Sequence, residues 1–334
     1  MERSTRDHDS CRDSTIDNPG VLGKSCRISM AFFTTSALRF AYACLWVVSP
    51  LLGANPEDKA PKAPTAVGTE AARSPWPEGR EDRWHGFVRH RFTVEGATAW
   101  VVEPRQAAPG KPWTWCLEFP DAFTERTGVL SLLEQGFHHV HLEVGNTFGC
   151  PRAQEQFDAF YPVLRRGGLG PKAALIGISR GGLYAYRWAA RHPERVACIY
   201  GDAPVCDFKS WPGGKGKGKG SAGDWTQLQR HYGFASEAEA LAFTGNPVDQ
   251  LAPLARAKVR LMHVVGDTDD VVPVAENTAL IESRYQALGG RIEVIHKPGI
   301  GHHPHGLDDP AAVVAFIRAS LNPGPELQPI NKAR

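Results

Sequence analysis

The chain has almost no net charge, since 38 Lys and Arg stand against 36 Asp and Glu and leave a formal balance of +2. That balance argues against a nucleic-acid surface, and the composition, 42% hydrophobic and 22% charged, against disorder. Long apolar runs are also scarce. The uncharged run at residues 40–54 (FAYACLWVVSPLLGA) is shorter than the roughly 20 residues a membrane-spanning helix needs. Cysteine is sparse as well: there are seven, three of them within the first 44 residues.

The run at 40–54 follows Arg39 and precedes the polar Asn55-Pro56-Glu57-Asp58, which is a signal-peptide pattern. Residues 1–54 are therefore read as a signal region, with Met30 as the expected true start because the polar segment before it has no periodicity. Export to the periplasm or the medium follows, with no stable membrane insertion once the signal is cleaved. Removing this region leaves Cys116, Cys150, Cys198 and Cys206. An oxidising destination would permit disulfides among them. Cys116 and Cys198 fall inside strand-like runs and read as small buried hydrophobes.

Residues 55–83 are rich in Pro, Ala and charge and read as a linker, because such a composition buries too little apolar surface to fold alone. From Trp84 to about residue 322, strand-length apolar runs alternate with helical stretches, the pattern of one α/β domain with a largely parallel sheet. Residues 323–334 form a tail. The segments GFVRHRFTV and ATAWVVEP read as an antiparallel pair turning at Glu95-Gly96. Strands are then expected at Trp113 to Phe119, Phe137 to Glu143, Ala173 to Ile178, Val196 to Tyr200, Val259 to Val265 and Arg291 to His296. The clearest helices are Gly181 to His192, Ala275 to Leu288 and Ala311 to Leu321.

The stretch from about 201 to 254 contains SWPGGKGKGKGSAGDW and a short helical piece near Glu237 to Phe243 and reads as a lid insertion. Its lysines, Lys215, Lys217 and Lys219, read as a flexible solvated loop. The functional alternative is a cationic flap over an acidic substrate.

Gly177-Ile178-Ser179-Arg180-Gly181 fits G-x-S-x-G, between a buried apolar strand and an amphipathic helix. This is the setting of a nucleophile elbow, where small residues two positions away accommodate the tight turn. A serine hydroxyl needs a base, and the base needs a carboxylate to orient it. Asp267, Asp269 and Asp270 follow the VRLMHVV strand, and His302, His303 and His305 follow the next one, at strand ends where open α/β sheets place their sites.

With these motifs the chain from Trp84 to Leu321 resembles the α/β-hydrolase superfamily, in the branch that includes prolyl-oligopeptidase-like and acetyl-xylan-esterase-like enzymes. The resemblance selects Ser179 as nucleophile, Asp269, four residues before Pro273, as acid, and His302, after a glycine, as base. Asp267 and Asp270 become turn carboxylates capping the next helix, with Asp270 kept as an alternative acid and Asp202 as a further one. The Arg180 N–H is the expected first oxyanion donor. Pro120 has no N–H, and the HGGG pattern of lipases is missing, so Phe119 is the choice for the second. The Ser-Arg elbow is similar to that of glucuronoyl esterases, where the guanidinium assists the oxyanion, but the lysine that family carries shortly after it is missing here, where Gly182-Leu183 stand instead.

No cofactor is implied. No Cys or carboxylate sits at ligand spacing beside His303 and His305, so no metal is expected, and these two are read as shaping the pocket or meeting substrate hydroxyls. The expected activity is hydrolysis of a carboxylic ester, on a small molecule or glycan, through an acyl-enzyme. A prolyl-oligopeptidase-like peptidase is the first alternative, although the stretch before Trp84 leaves no room for a propeller. A non-catalytic binding protein on a hydrolase scaffold is the second.

Overall fold

The computed structural model describes residues 74–321, and the expectations for the signal region, the early linker and the tail lie outside them. Nine strands form one sheet: β1 (Arg80–Trp84), β2 (Phe87–Val94), β3 (Ala97–Glu103), β4 (Trp113–Cys116), β5 (His138–Glu143), β6 (Ala173–Ile178), β7 (Val196–Asp202), β8 (Arg260–Gly266) and β9 (Ile292–Lys297). Their spatial order is β1-β2-β3-β5-β4-β6-β7-β8-β9. The first three strands form an antiparallel meander that joins β5 antiparallel, and all pairings from β5 across to β9 are parallel.

Eight α-helices accompany the sheet: α1 (Val129–Glu134), α2 (Pro151–Arg166), α3 (Gly181–Arg191), α4 (Ala222–Tyr232), α5 (Glu237–Ala242), α6 (Ala252–Arg256), α7 (Thr278–Ala287) and α8 (Ala311–Leu321). Two apolar clusters lie on opposite faces of the sheet. One joins α2, α3, α7 and the insertion through Phe157, Phe160, Trp188, Ile281 and Tyr285, and the other joins α1 and α8 through Leu132, Val313 and Ile317. Covered on both faces, β6 (AALIGI) is buried at every position, as a parallel central strand should be.

The expected hairpin between β2 and β3 is present, with Glu95 and Gly96 at φ 48° and 77°. Those paired positive angles match the twist of the strands they connect. Three expectations need correction. The linker does not run to residue 83, because Trp76 is buried against the core and β1 pairs with β2 from Arg80. The strand begun at Trp113 stops at Cys116 rather than Phe119, since Phe119 adopts φ 57° and turns the chain out of the sheet. Helix α7 starts at Thr278 rather than Ala275, after a short 3-10 turn over Val274–Glu276.

Between β7 and β8 the expected insertion carries α4, α5 and α6. Its lysine-rich loop is docked. Lys215 and Lys219 pair with Glu237 and Asp270 at 2.6 and 2.5 Å, and the Lys217 N–H donates to Glu276. A Cβ at Gly218 would lie 2.9 Å from Pro273, so glycine is what permits the close approach. All four cysteines among the described residues are buried free thiols, and burial pushes those of Cys116 and Cys198 up to about 12.

Candidate active site

The strand order reverses around β4, with β5 on one side and β6 on the other, and the loops beyond the carboxyl ends of these parallel strands converge. Ser179 occupies the turn from β6 into α3 at φ 49°. Left-handed backbone at a non-glycine residue is costly and persists only where its surroundings hold it. Here the Ser179 N–H donates to the Asp202 carbonyl at 2.8 Å, and the Ser179 carbonyl accepts from Val205 N–H at 2.8 Å and Gly182 N–H at 3.0 Å. The turn is held from both sides.

Expectation placed the steric demand at Gly177 and Gly181, with Gly182 behind them. A Cβ at Gly177 would lie 3.0 Å from the Gly181 carbonyl oxygen, and one at Gly182 would meet the Val205 carbonyl at 2.6 Å. A Cβ at Gly181 would have the Glu118 Cβ as its nearest neighbour, at 3.3 Å, and the Glu118 backbone nitrogen at 3.9 Å. Positions 177 and 182 are the crowded ones.

The Ser179 hydroxyl lies 2.9 Å from His302 Nε2, and His302 Nδ1 lies 2.7 Å from Asp269 Oδ2. Both His302 and Asp269 are buried. With a carboxylate on Nδ1, the neutral imidazole carries its proton there and leaves the Nε2 lone pair facing the hydroxyl. Asp269 is fixed in turn by the N–H groups of Val271 and Val272, which donate to Oδ1 at 3.0 and 2.8 Å. The loops carrying acid and base meet because a Cβ on Gly266 would lie 2.2 Å from the Gly301 carbonyl, and the Thr268 N–H donates across to Ile300 O at 2.9 Å.

The other aspartates are engaged elsewhere. Asp267 pairs with His296 at 2.7 Å, and exposed Asp270 pairs with Lys219, which holds its carboxyl below the usual range. Fully buried Asp202 faces His305, 2.8 Å from its Nδ1, rather than His302. Burial lowers the pKa of His303, and the neighbouring His305 and His302 add to the effect.

Among the described residues, neither the Arg180 nor the Phe119 N–H donates to another protein group, so both remain available to an incoming oxygen. The Arg180 guanidinium is not free. Its Nε and Nη2 lie 2.9 and 2.8 Å from Glu118 Oε1, and its carbon sits 4.8 and 5.8 Å from the centroids of the Phe119 and Phe148 rings. Burial raises the Glu118 pKa, opposed by the Arg180 charge.

Sequence reasoning missed Glu118 and Phe148. Glu118 is an acidic residue inside the apolar run WTWCLEF, and a charge there signals a buried partner. Phe148 lies in the loop after β5, at the same sheet edge. Its N–H and that of Thr147 donate to Tyr184 Oη at 2.7 and 2.9 Å, and its carbonyl accepts from Tyr232 of α4 at 2.8 Å. The insertion is thus fastened to the wall of the site.

Residues 170–323 match the prolyl oligopeptidase family model. No curated protein matches the chain. Solved structures with the same fold include Porphyromonas gingivalis dipeptidyl peptidase 4, 13% identical with a TM-score of 0.52 over 72% of this chain and 35% of that one. EstE5, in a crystal soaked with p-nitrophenyl butyrate, is 17% identical, with a TM-score of 0.53 over 72% of this chain and 87% of that one. A bifunctional GH43-CE protein from Bacteroides eggerthii is 17% identical, with a TM-score of 0.56 over 70% of this chain and 38% of that one. This chain therefore spans little more than a third of the length of the dipeptidyl peptidase, but most of EstE5. The chain has the α/β-hydrolase fold, and its residues 170–323, a little under half of it, match the prolyl oligopeptidase family.

Proposed function

We propose that the chain is an exported esterase that cleaves carboxylic esters, including esters on carbohydrates, with Ser179 as nucleophile, His302 as base and Asp269 as the acid that orients it. The observation that carries this reading is the unbroken hydrogen-bonded series from Ser179 to His302 to Asp269 at 2.9 and 2.7 Å, set on a strand-to-helix turn at φ 49°. Export rests on the apolar run at 40–54, and among the described residues no helix is long and apolar enough to cross a membrane.

In the proposed reaction Ser179 Oγ attacks the ester carbonyl while its proton passes to His302 Nε2. Asp269 stabilises the imidazolium without taking its proton. The N–H groups of Arg180 and Phe119 hold the oxyanion. Collapse of the tetrahedral adduct breaks the bond to the leaving oxygen, which takes the proton from His302. Water, deprotonated by the same imidazole, then attacks the acyl-enzyme, and cleavage of the bond to Ser179 Oγ releases the acid while His302 Nε2 returns the proton to Oγ.

The prolyl oligopeptidase match favours a second reading, a peptidase acting at a peptide amine terminus or within a chain. An aminopeptidase would need a free carboxylate to hold the substrate ammonium. Among the described residues, four carboxylates near Ser179 and His302 are already paired: Glu118 with Arg180, Asp202 with His305, Asp269 with His302 and Asp270 with Lys219. That pattern supports the ester reading.

The test is to treat the full chain and its Ser179→Ala variant with a fluorophosphonate probe, then to assay p-nitrophenyl esters, acetylated and methyl-esterified glycans and dipeptide anilides. The esterase reading expects labelling lost in Ser179→Ala and turnover of esters over anilides. Preference for the anilides would establish the peptidase, and no labelling of folded wild-type protein would leave a binding protein.

A further inference from the structure

Asp269 and His302 have a close counterpart beside them. His305 is 3% exposed, and its Nδ1 lies 2.8 Å from Asp202 Oδ1. Asp202 is fully buried, and its other oxygen accepts from Tyr200 Oη at 2.6 Å and from the Gly306 N–H at 2.8 Å. A carboxylate this firmly anchored fixes the imidazole proton on Nδ1 and leaves the Nε2 lone pair open. The two Asp–His pairs therefore share a tautomer and an orientation logic. Their imidazole centroids stand 4.8 Å apart, and exposed His303 completes a cluster at 4.9 Å from His302 and 4.7 Å from His305.

One ring nitrogen from each of the three comes within 4.8 Å of the others. A hydrolytic site has use for one such histidine, and the proposed mechanism uses only His302. Histidine whose far nitrogen is bound to a carboxylate is the arrangement that prepares imidazole for metal ligation, by fixing the tautomer and raising its basicity. Here two of the three have it.

We propose that His302, His303 and His305 form a binding site for a divalent transition-metal ion of the zinc class, and that occupation of this site shuts off the hydrolase by taking His302 Nε2 away from Ser179. The inhibitory half rests on the proposed role of His302, whereas the binding half does not. Three imidazoles with neither thiolate nor carboxylate in the ligand set select Zn²⁺, Co²⁺, Ni²⁺ or Cu²⁺ over Mg²⁺ or Ca²⁺. Zinc–nitrogen bonds of about 2.0–2.1 Å in a tetrahedron bring the nitrogens to roughly 3.4 Å of each other. The three nitrogens lie within 4.8 Å of one another, so reaching that spacing requires the rings to move, and exposed His303 is the one of the three with no carboxylate paired to it among the described residues. A water would take the fourth position.

The experiment uses the full chain carrying Ser179→Ala, which keeps all three histidines and removes the competing hydroxyl. Co²⁺ is titrated while visible absorption is followed, and Zn²⁺ is titrated by calorimetry. The expected result is one metal per chain with tetrahedral cobalt bands, and affinity at least about tenfold weaker after adding His303→Ala or His305→Gln. Absence of stoichiometric binding, or equal affinity with and without His303, would overturn the site. His303 is exposed, so its removal does not threaten the fold.

In the wild-type chain, Zn²⁺ should inhibit hydrolysis of a p-nitrophenyl ester, a chelator should restore it, and His303→Ala should raise the inhibition constant in step with the binding constant. Metal binding without any effect on turnover would overturn the shut-off. Metal binding to a chain that turns over no ester would leave the site standing and remove the esterase reading, while ester turnover without metal binding would do the reverse.

Discussion

Glu118 Oε1 accepts from Arg180 Nε at 2.9 Å and lies 2.8 Å from Nη2 in an ion pair, and so ties the loop after β4 to the turn after β6. Phe119 follows Glu118 and Arg180 follows Ser179, so this one ion pair fixes the spacing of the two N–H groups assigned to the oxyanion. The guanidinium is therefore a brace, in contrast to the free oxyanion-assisting arginine that its likeness to glucuronoyl esterases implies. Its side chain is 18% exposed and that of Glu118 11%.

Glu118→Gln should lower kcat by about tenfold or more with little change in KM, because removing one oxyanion donor outright costs about 10²–10³ and here the donor is only displaced. The variant should also lose about 2–3 kcal/mol in urea denaturation, at the low end for a broken buried pair because both side chains retain some solvent. Steady-state kinetics on one p-nitrophenyl ester decides the matter. An increase in KM at constant kcat would assign Glu118 to substrate binding instead.

Adjacent aspartates should differ sharply. Asp269 is buried against His302, whereas Asp270 is exposed and paired with Lys219 at 2.5 Å. Asp269→Asn should cost about 10⁴ in kcat, since an amide cannot hold the imidazole in the productive tautomer. Asp270→Asn should change activity by no more than about threefold, as expected for a surface pair. Paired kinetics of the two variants checks the assignment, and comparable losses in both would count against Asp269 as the acid.

Three buried histidines should make the fold acid-labile. Burial pushes His139 and His263 down to about 3, and burial again, aided by Lys111, takes His138 down to about 4. In the unfolded chain each titrates near 6.5, so between pH 6.5 and about 3 the unfolded state binds more protons and stability falls as pH falls. Each histidine costs about 1.4 kcal/mol per pH unit between 6.5 and its own folded value, about 3 for His139 and His263 and about 4 for His138. His139 stacks on Trp84 and bonds to Thr114, and its Nε2 has no partner among the described residues, so His139→Phe should be tolerated and remove its share of the slope. Urea unfolding from pH 6 to 4 reads the difference, and an unchanged slope would remove His139 from the account.

Much of the site was legible because its residues sit where the chain changes pattern. The uninterrupted apolar run AALIGI ends at Ser179, and strand periodicity placed the aspartate and histidine loops at strand ends, while the choice of Asp269 and His302 within them came from the likeness to the α/β-hydrolase superfamily. Glu118–Arg180 and Asp202–His305 were not legible, because each is a long-range meeting that depends on strand order rather than local spacing. The sheet places β4 next to β6 and puts the end of β7 within reach of the loop after β9, and neither adjacency is written in the sequence. Composition likewise misplaced the start of the fold at Trp84, because β1 (REDRW) is an edge strand whose charges face solvent, and its Pro-rich approach conceals one anchoring residue, Trp76.

The elbow glycines provide the last prediction. A methyl group at Gly182 would lie 2.6 Å from the Val205 carbonyl oxygen and 2.8 Å from Pro204 Cβ, whereas at Gly181 its nearest neighbour is a side-chain carbon at 3.3 Å. Backbone cannot step aside as a side chain can, so Gly182→Ala should cost about 1–3 kcal/mol and Gly181→Ala less. Val205 also donates its N–H to the Ser179 carbonyl at 2.8 Å, so displacing it relaxes the strained turn that aims the hydroxyl. Gly182→Ala should therefore slow fluorophosphonate labelling at temperatures where the chain is still fully folded, and Gly181→Ala should label at nearly the wild-type rate. If the motif glycine at 181 proved the more sensitive, the crowding around Ser179 would come from Glu118 rather than from the Pro204–Val205 backbone.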